Sequence, residues 1–194
     1  MAVRIRSFVA IELSEPLKQN LDSLRKRLDS PRYDVRWVKA LNIHLTLRFL
    51  GEITENEIAA ATGAAARAAA RVAPFQFSIR GLGAFPTAGS PRVVWVGVED
   101  DGPLLQLADS LSKELSAARF PPADHPFTPH LTLGRVKSPK GRDELKRQLV
   151  ANQDICLGRQ EVADFALIRS ELKPGGPVYR PLSRFLLGDP SAIS

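Results

Sequence analysis

Two stretches of this chain are identical over four residues, His44-Leu45-Thr46-Leu47 and His130-Leu131-Thr132-Leu133, and together they hold two of its three histidines. In an extended strand successive side chains point to opposite faces, so each copy sets an imidazole and a hydroxyl side by side with both leucines behind them. Histidine has an ordinary pKa of about 6.5, so near neutral pH a pair of rings can hold one neutral and one protonated member. One ring can take a proton from an attacking water while the other gives a proton to a departing oxygen. The two threonine hydroxyls can donate hydrogen bonds to oxygens on which negative charge builds. Two such strands brought together across a cleft would supply two proton-transfer groups and two hydroxyl donors around one small oxyanion.

The rest of the composition narrows the partners. At 194 residues and 44% hydrophobic, the chain can bury a core as one domain or as two tightly packed lobes. Lys and Arg number 27 against 21 Asp and Glu, a net charge of +6 with a pI near 9.8. That excess favours a polyanionic partner such as RNA, as supporting rather than deciding information. Cys156 is the sole cysteine, so neither an internal disulfide nor a cysteine-built zinc site can form, and a reducing cytoplasm is the expected compartment. The opening MAVRIRSFVAIEL breaks its apolar pattern at Glu12, unlike a signal peptide or membrane span. Gly81 and Gly83 form only a G-x-G with no helix behind it, so no nucleotide cofactor is expected. Two histidines in separate lobes also lack the third protein ligand that catalytic zinc usually has.

Hydrophobic periodicity predicts the elements that must position the motifs. Residues 4–13 read as a strand, and Ser14 with Pro16 opens a helix with Leu17, Leu21, Leu24 and Leu28 on one face. Strands follow at 35–38 and 43–50, the second closed by Gly51. Thr54 and Glu57 make a capping-box pattern before the Ala-rich helical run 57–73. Strands at 75–82 and 92–99 flank the segment GAFPTAGSP, and a helix covers 103–118. The loop FPPADHPFTP leads into the second motif strand. A helix around 141–151 and strands near 160–171 and 178–187 complete the chain. The order of strand, helix, strands, helix, strands repeats approximately once, with the motifs at comparable points. This predicts a single bilobal domain over 1–194 with a cleft between its sheets.

In these contexts HLTLRFLGE and FTPHLTLGR resemble the paired H-x-T-x motifs of the two-histidine (2H) phosphoesterase superfamily, and within it the LigT-like RNA 2′,3′-cyclic phosphodiesterases, once named 2′-5′ RNA ligases. RSFVAIELSEP, VRWV, RVVW at 92–95 and SELKPGGPVYRPLSRF extend the likeness over nearly the whole chain. The resemblance implies an α+β, pseudo-twofold fold in which two antiparallel sheets line a central cleft and helices lie outside. It also implies His130 as the base that activates water and His44 as the acid that protonates the departing 3′ oxygen. The substrate is then RNA with a 2′,3′-cyclic phosphate end and the product a 2′-phosphate, with reversible 2′-5′ ligation in vitro as a further activity. The chain is expected to act as a monomer without a membrane, cofactor, metal or obligate protein partner.

Thr46 and Thr132 are candidate phosphate donors. Arg135 falls where the family carries a phosphate-contacting arginine. On a regular strand residue 135 points away from His130, so a bulge at Gly134 or the strand end must redirect it. Arg48 has the parity of His44 and Thr46. Phe127 and Phe8 are candidates for stacking on a base, with core packing the stronger reading for Phe8. His125 reads as a solvent-facing loop histidine, and Trp37, Trp95 and Tyr179 as packing residues between the lobes. Two other readings stay open: a noncatalytic RNA-binding protein using the same basic cleft, and the same chemistry on a small cyclic nucleotide or a 2′-5′-linked oligomer. Two titratable groups in matched settings weigh against the first, since binding phosphate does not require them.

Overall fold

The computed structural model describes residues 3–189. It folds into nine strands and four α-helices: β1 (Ile5–Glu12), α1 (Glu15–Leu28), β2 (Val35–Trp37), β3 (His44–Ile53), α2 (Glu55–Ala69), β4 (Phe75–Phe85), β5 (Val93–Glu99), α3 (Pro103–Ala117), β6 (His130–Val136), α4 (Arg142–Ala151), β7 (Cys156–Val162), β8 (Asp164–Lys173) and β9 (Gly176–Leu186). The strands form two antiparallel sheets, one in the order β3-β1-β8-β9 and the other β2-β6-β5-β4-β7. The architecture is the expected α+β arrangement.

Local sequence explains the helices. Leu17, Leu21, Leu24 and Leu28 recur at helical spacing along α1 and all four are buried. At the start of α2 the Thr54 hydroxyl accepts from the Glu57 backbone N–H, and the Glu57 carboxylate accepts from the Thr54 N–H at 2.7 Å. Alanines let α2 pack closely on α3, where buried Glu114 accepts from Arg67 and Arg71, each at 2.7 Å. Each sheet turns one face to the main core; Val9, Ile11, Leu45, Leu47 and Leu167 from the first sheet join Ile79, Val94, Val96, Leu131 and Leu133 from the second. The opposite face of the first sheet carries a smaller apolar cluster, Phe8, Ala10, Ala166 and Ile168, with Tyr179 against it.

Three expectations change. The sheets are not the two halves of the chain: β8 and β9 return to pair beside β1, while β2 leaves the N-terminal region to pair with β6. Strand β3 does not stop at Gly51, which at φ +75° takes up an irregularity next to the extra residue Leu50 and lets the ladder continue to Ile53. The single strand expected near 160–171 is divided between β7 and β8, which belong to different sheets. Strand β7 is mostly polar, and that hid it from a pattern reading.

Strand β2 ties the sheets together beside the motifs. The Val38 N–H donates to the Leu133 carbonyl at 2.8 Å, and six residues later, at His44, the chain enters β3 in the other sheet. Strands β3 and β6 come into contact although neither pairs with the other.

Candidate active site

Both HLTL copies lie at the start of their strands and alternate as a regular strand requires. Leu45, Leu47, Leu131 and Leu133 are buried in the main core, and His44, Thr46, His130 and Thr132 are half-exposed on the other face. Each imidazole is anchored in the same way. His44 Nδ1 lies 2.9 Å from the Asn42 carbonyl, and His130 Nδ1 lies 2.7 Å from the Thr128 carbonyl, in each case two residues upstream. A carbonyl oxygen can only accept, so Nδ1 carries the hydrogen and Nε2 of each neutral ring is left as a free base.

Aromatic rings back both histidines. Phe8 stacks on His44 with centroids 4.6 Å apart, and Phe85 meets His130 nearly at right angles at 5.0 Å. Tyr179 of β9 closes on His44 edge-to-face at 5.2 Å. Burial pushes the His44 pKa below its ordinary value, while the Asn42 carbonyl and the Glu12 carboxylate oppose that shift.

The last leucine of each copy sits in a β-bulge. Thr46 pairs with Ala10 but Arg48 with Val9, which makes Leu47 an extra residue; Thr132 pairs with Trp95 but Gly134 with Val94, which does the same for Leu133. Parity therefore reverses after each motif. The redirection that Arg135 needs is present, one residue before Gly134, and Arg135 shares the face of Thr132 across from Val93. Gly134 itself faces β2, where a Cβ would lie 2.6 Å from Val35 Cγ1, so only glycine allows that strand so close.

The same reversal corrects the parity of Arg48. It follows Val9 instead of Thr46, and its guanidinium donates to the Pro121 carbonyl with Asp124 nearby. Arg48 thus holds the loop that runs to Thr128 and His130. Phe127 of that loop is half-buried against the main core instead of standing open as a platform. His125 is exposed.

Two residues in this neighbourhood were not read from the sequence as part of the site: Phe49 was not singled out, and Tyr179 was expected only as a packing residue. Phe49 is 63% exposed and pairs with Phe8, ring centroids 5.8 Å apart, on the face that carries His44. Its signal was the equal spacing: Phe49 stands five residues after His44 as Arg135 stands five after His130. Tyr179 had no local signal, since it reaches His44 only through the β1–β8–β9 pairing. Among the described residues no three His, Cys, Asp or Glu side chains gather as a ligand set for a metal ion.

Fold and motif placement define a class, the two-histidine phosphoesterases, in which each sheet carries one H-x-T-x strand. The chain belongs to the 2′-5′ RNA ligase superfamily, whose sequence model matches residues 13–173, and within it the chain is LigT-like. An RNA 2′,3′-cyclic phosphodiesterase of Methanothermobacter thermautotrophicus is 35% identical over 185 residues, covering 95% of this chain and all (100%) of that protein. Another from Thermus thermophilus is 38% identical over 190 residues, covering 94% and 90% of the two chains. E. coli LigT complexed with 3′-AMP superposes with a TM-score of 0.77 at 28% identity, over 96% of this chain and 99% of that one. Its phosphate complex gives 0.74 at 27% identity with the same coverage, 96% and 99%.

Proposed function

We propose that this protein hydrolyses RNA 2′,3′-cyclic phosphate ends to 2′-phosphate ends. The observation that carries this reading is the matched anchoring of His44 and His130, each with Nδ1 held by a carbonyl and Nε2 free. Relatives at 35% and 38% identity named RNA 2′,3′-cyclic phosphodiesterase support the substrate class, as do the 3′-AMP and phosphate complexes of E. coli LigT.

Water attacks phosphorus on one side while His130 Nε2 takes its proton. The bond from phosphorus to O3′ breaks on the other side, and protonated His44 gives its Nε2 proton to the departing oxygen. One proton enters the enzyme and one leaves, so the pair ends each turnover with its roles exchanged and returns through solvent. Thr46 and Thr132 donate to the non-bridging oxygens, and Arg135 holds the phosphate charge. Phe49 supplies the exposed ring on which the terminal base stacks. Arg48 acts by fixing the loop ahead of His130, not by contact with phosphate.

Burial favours a neutral His44 in the free enzyme, opposite to what an acid needs. A bound phosphate anion reverses this, since a negative charge beside an imidazole favours its protonated form. Substrate thus arms its own acid. With a 5′-hydroxyl in place of water the same steps run in the same direction: His130 takes the hydroxyl proton, the bond from phosphorus to O3′ breaks with a proton from His44, and the ends are joined through a 2′-5′ linkage. One chain supplies every residue of this mechanism, in keeping with a monomer working in the cytoplasm; no described helix is long and apolar enough to cross a membrane.

The test is incubation of the purified protein with a short RNA ending in a 2′,3′-cyclic phosphate, in the presence of EDTA. Conversion to a 2′-phosphate end is expected. Tight RNA binding with no conversion would favour the noncatalytic alternative and overturn this one.

A further inference from the structure

Tyr179 stands in the first sheet with most of its chemistry unspent. Its ring meets His44 at 5.2 Å and Phe8 at 5.1 Å, both edge-to-face, so the ring is fixed by two aromatic neighbours. With His44, Ile43 and Asn42 it lines a cavity of about 160 Å³. Among the described residues its hydroxyl makes no hydrogen bond, although a half-buried phenol ordinarily finds a partner. Burial raises the pKa of this phenol, and the positive charges of Arg135 and Arg6 pull it back. Arg135 belongs to β6 in the second sheet and Arg6 to β1 in the first. Tyr179 therefore sits where cations from both sheets converge and against the ring of His44.

An oxyanion drawn by Arg135 and set against the ring of His44 would lie beside this phenol. Resting on the phosphodiesterase reading above, we propose that Tyr179 is a further substrate-contacting residue, its hydroxyl donating a hydrogen bond to a non-bridging oxygen of the terminal phosphate. A phenol keeps its proton through the neutral range, so it serves as a fixed donor and not as a competing acid or base. The rigid ring delivers that donor at low entropic cost, with two aromatic contacts already holding it.

Tyr179→Phe tests this directly because it preserves the ring contacts and removes only the hydroxyl. On RNA ending in a 2′,3′-cyclic phosphate, kcat/KM is expected to fall roughly 10- to 100-fold, the range for one hydrogen bond to a charged group. A binding arm needs no turnover. Affinity for adenosine 2′-monophosphate is expected to fall by a similar factor, while affinity for adenosine and the melting temperature stay unchanged. Parent-like turnover and parent-like binding of the monophosphate would overturn the contact. So would a lowered melting temperature with unchanged phosphate affinity, which would mean that the hydroxyl serves the fold. A parent protein that binds the monophosphate through Tyr179 yet leaves the cyclic end intact would overturn the phosphodiesterase reading alone.

Discussion

Glu12 is the direct cross-strand neighbour of His44 in the β1–β3 ladder, and the two line one cavity together with Lys18 of α1 and Tyr179 of β9. The carboxylate is also bound by Arg184, which in turn reaches Asp164 at 3.3 Å. Burial lowers the pKa of His44 and the negative charge of Glu12 raises it, so Glu12→Gln should leave His44 easier to deprotonate. On the proposed roles, the rate at alkaline pH, with both rings mostly neutral, follows the fraction of enzyme in which His44 still carries its proton. On the acid side it follows the fraction in which His130 has lost one. Glu12→Gln should therefore lower kcat/KM by up to about tenfold on the alkaline limb and leave the acid limb in place. A pH–rate profile checks this. A gain confined to the acid limb, as expected if His44 were the base, would reverse the assignment of the two histidines.

On the proposed mechanism, in which each ring transfers a proton in the transition state, His44→Ala and His130→Ala should each reduce turnover by about 10²- to 10⁴-fold. Binding of a 2′-phosphorylated nucleoside should weaken much less. His125→Ala, on an exposed loop residue, should be silent. Single-turnover assays on the three variants decide it, and a dispensable motif histidine would remove the two-histidine mechanism.

The bulges at Leu47 and Leu133 make separable predictions for the residues they aim. Arg135→Ala should raise KM, with an effect that shrinks at high salt as the ionic contact is screened. Phe49→Ala should also raise KM, by roughly 5- to 100-fold for one lost base stack, with little salt dependence. Phe127→Ala should lower the melting temperature instead, since that ring packs against the core. Thr46→Val and Thr132→Val should lower kcat more than they change KM, as expected for hydrogen bonds that strengthen on developing charge. Kinetics at two ionic strengths, with melting curves, separate these outcomes.

If His44 protonates O3′, the product is a terminal 2′-phosphate with a free 3′ hydroxyl. Phosphorus NMR of the product should show this, and a predominantly 3′-phosphate end would mean that the cyclic ester lies in the cleft the other way round. The rate should be unaffected by EDTA. Activity abolished by chelation and restored by a divalent metal would count against proton transfer by two histidines alone.

Much of this protein is written in short-range pattern. The helical spacing of the α1 leucines, the Thr54–Glu57 capping box and the strand alternation within each HLTL depend on residues within one or two turns of each other. The duplicated histidine and threonine were legible for the same reason. Strand β7 was not, because its polar residues carry no period that separates a sheet strand from a loop.

Tertiary structure decided where side chains beyond the motifs point. A bulge is a property of two strands in register, so the reversal of parity after Leu47 and Leu133 lies in the pairing with β1 and β5, and not in β3 or β6 alone. That reversal sends Arg48 to the Pro121 loop and sets Phe49 and Arg135 on the faces of the two histidines. The interleaving of β2, β8 and β9 between sheets, and with it the meeting of Tyr179 and His44, comes from contacts between residues far apart in the chain. Periodicity records which face of an element is apolar; it holds no information about which distant strand will lie against the other face, because that choice is made by packing once the whole core assembles.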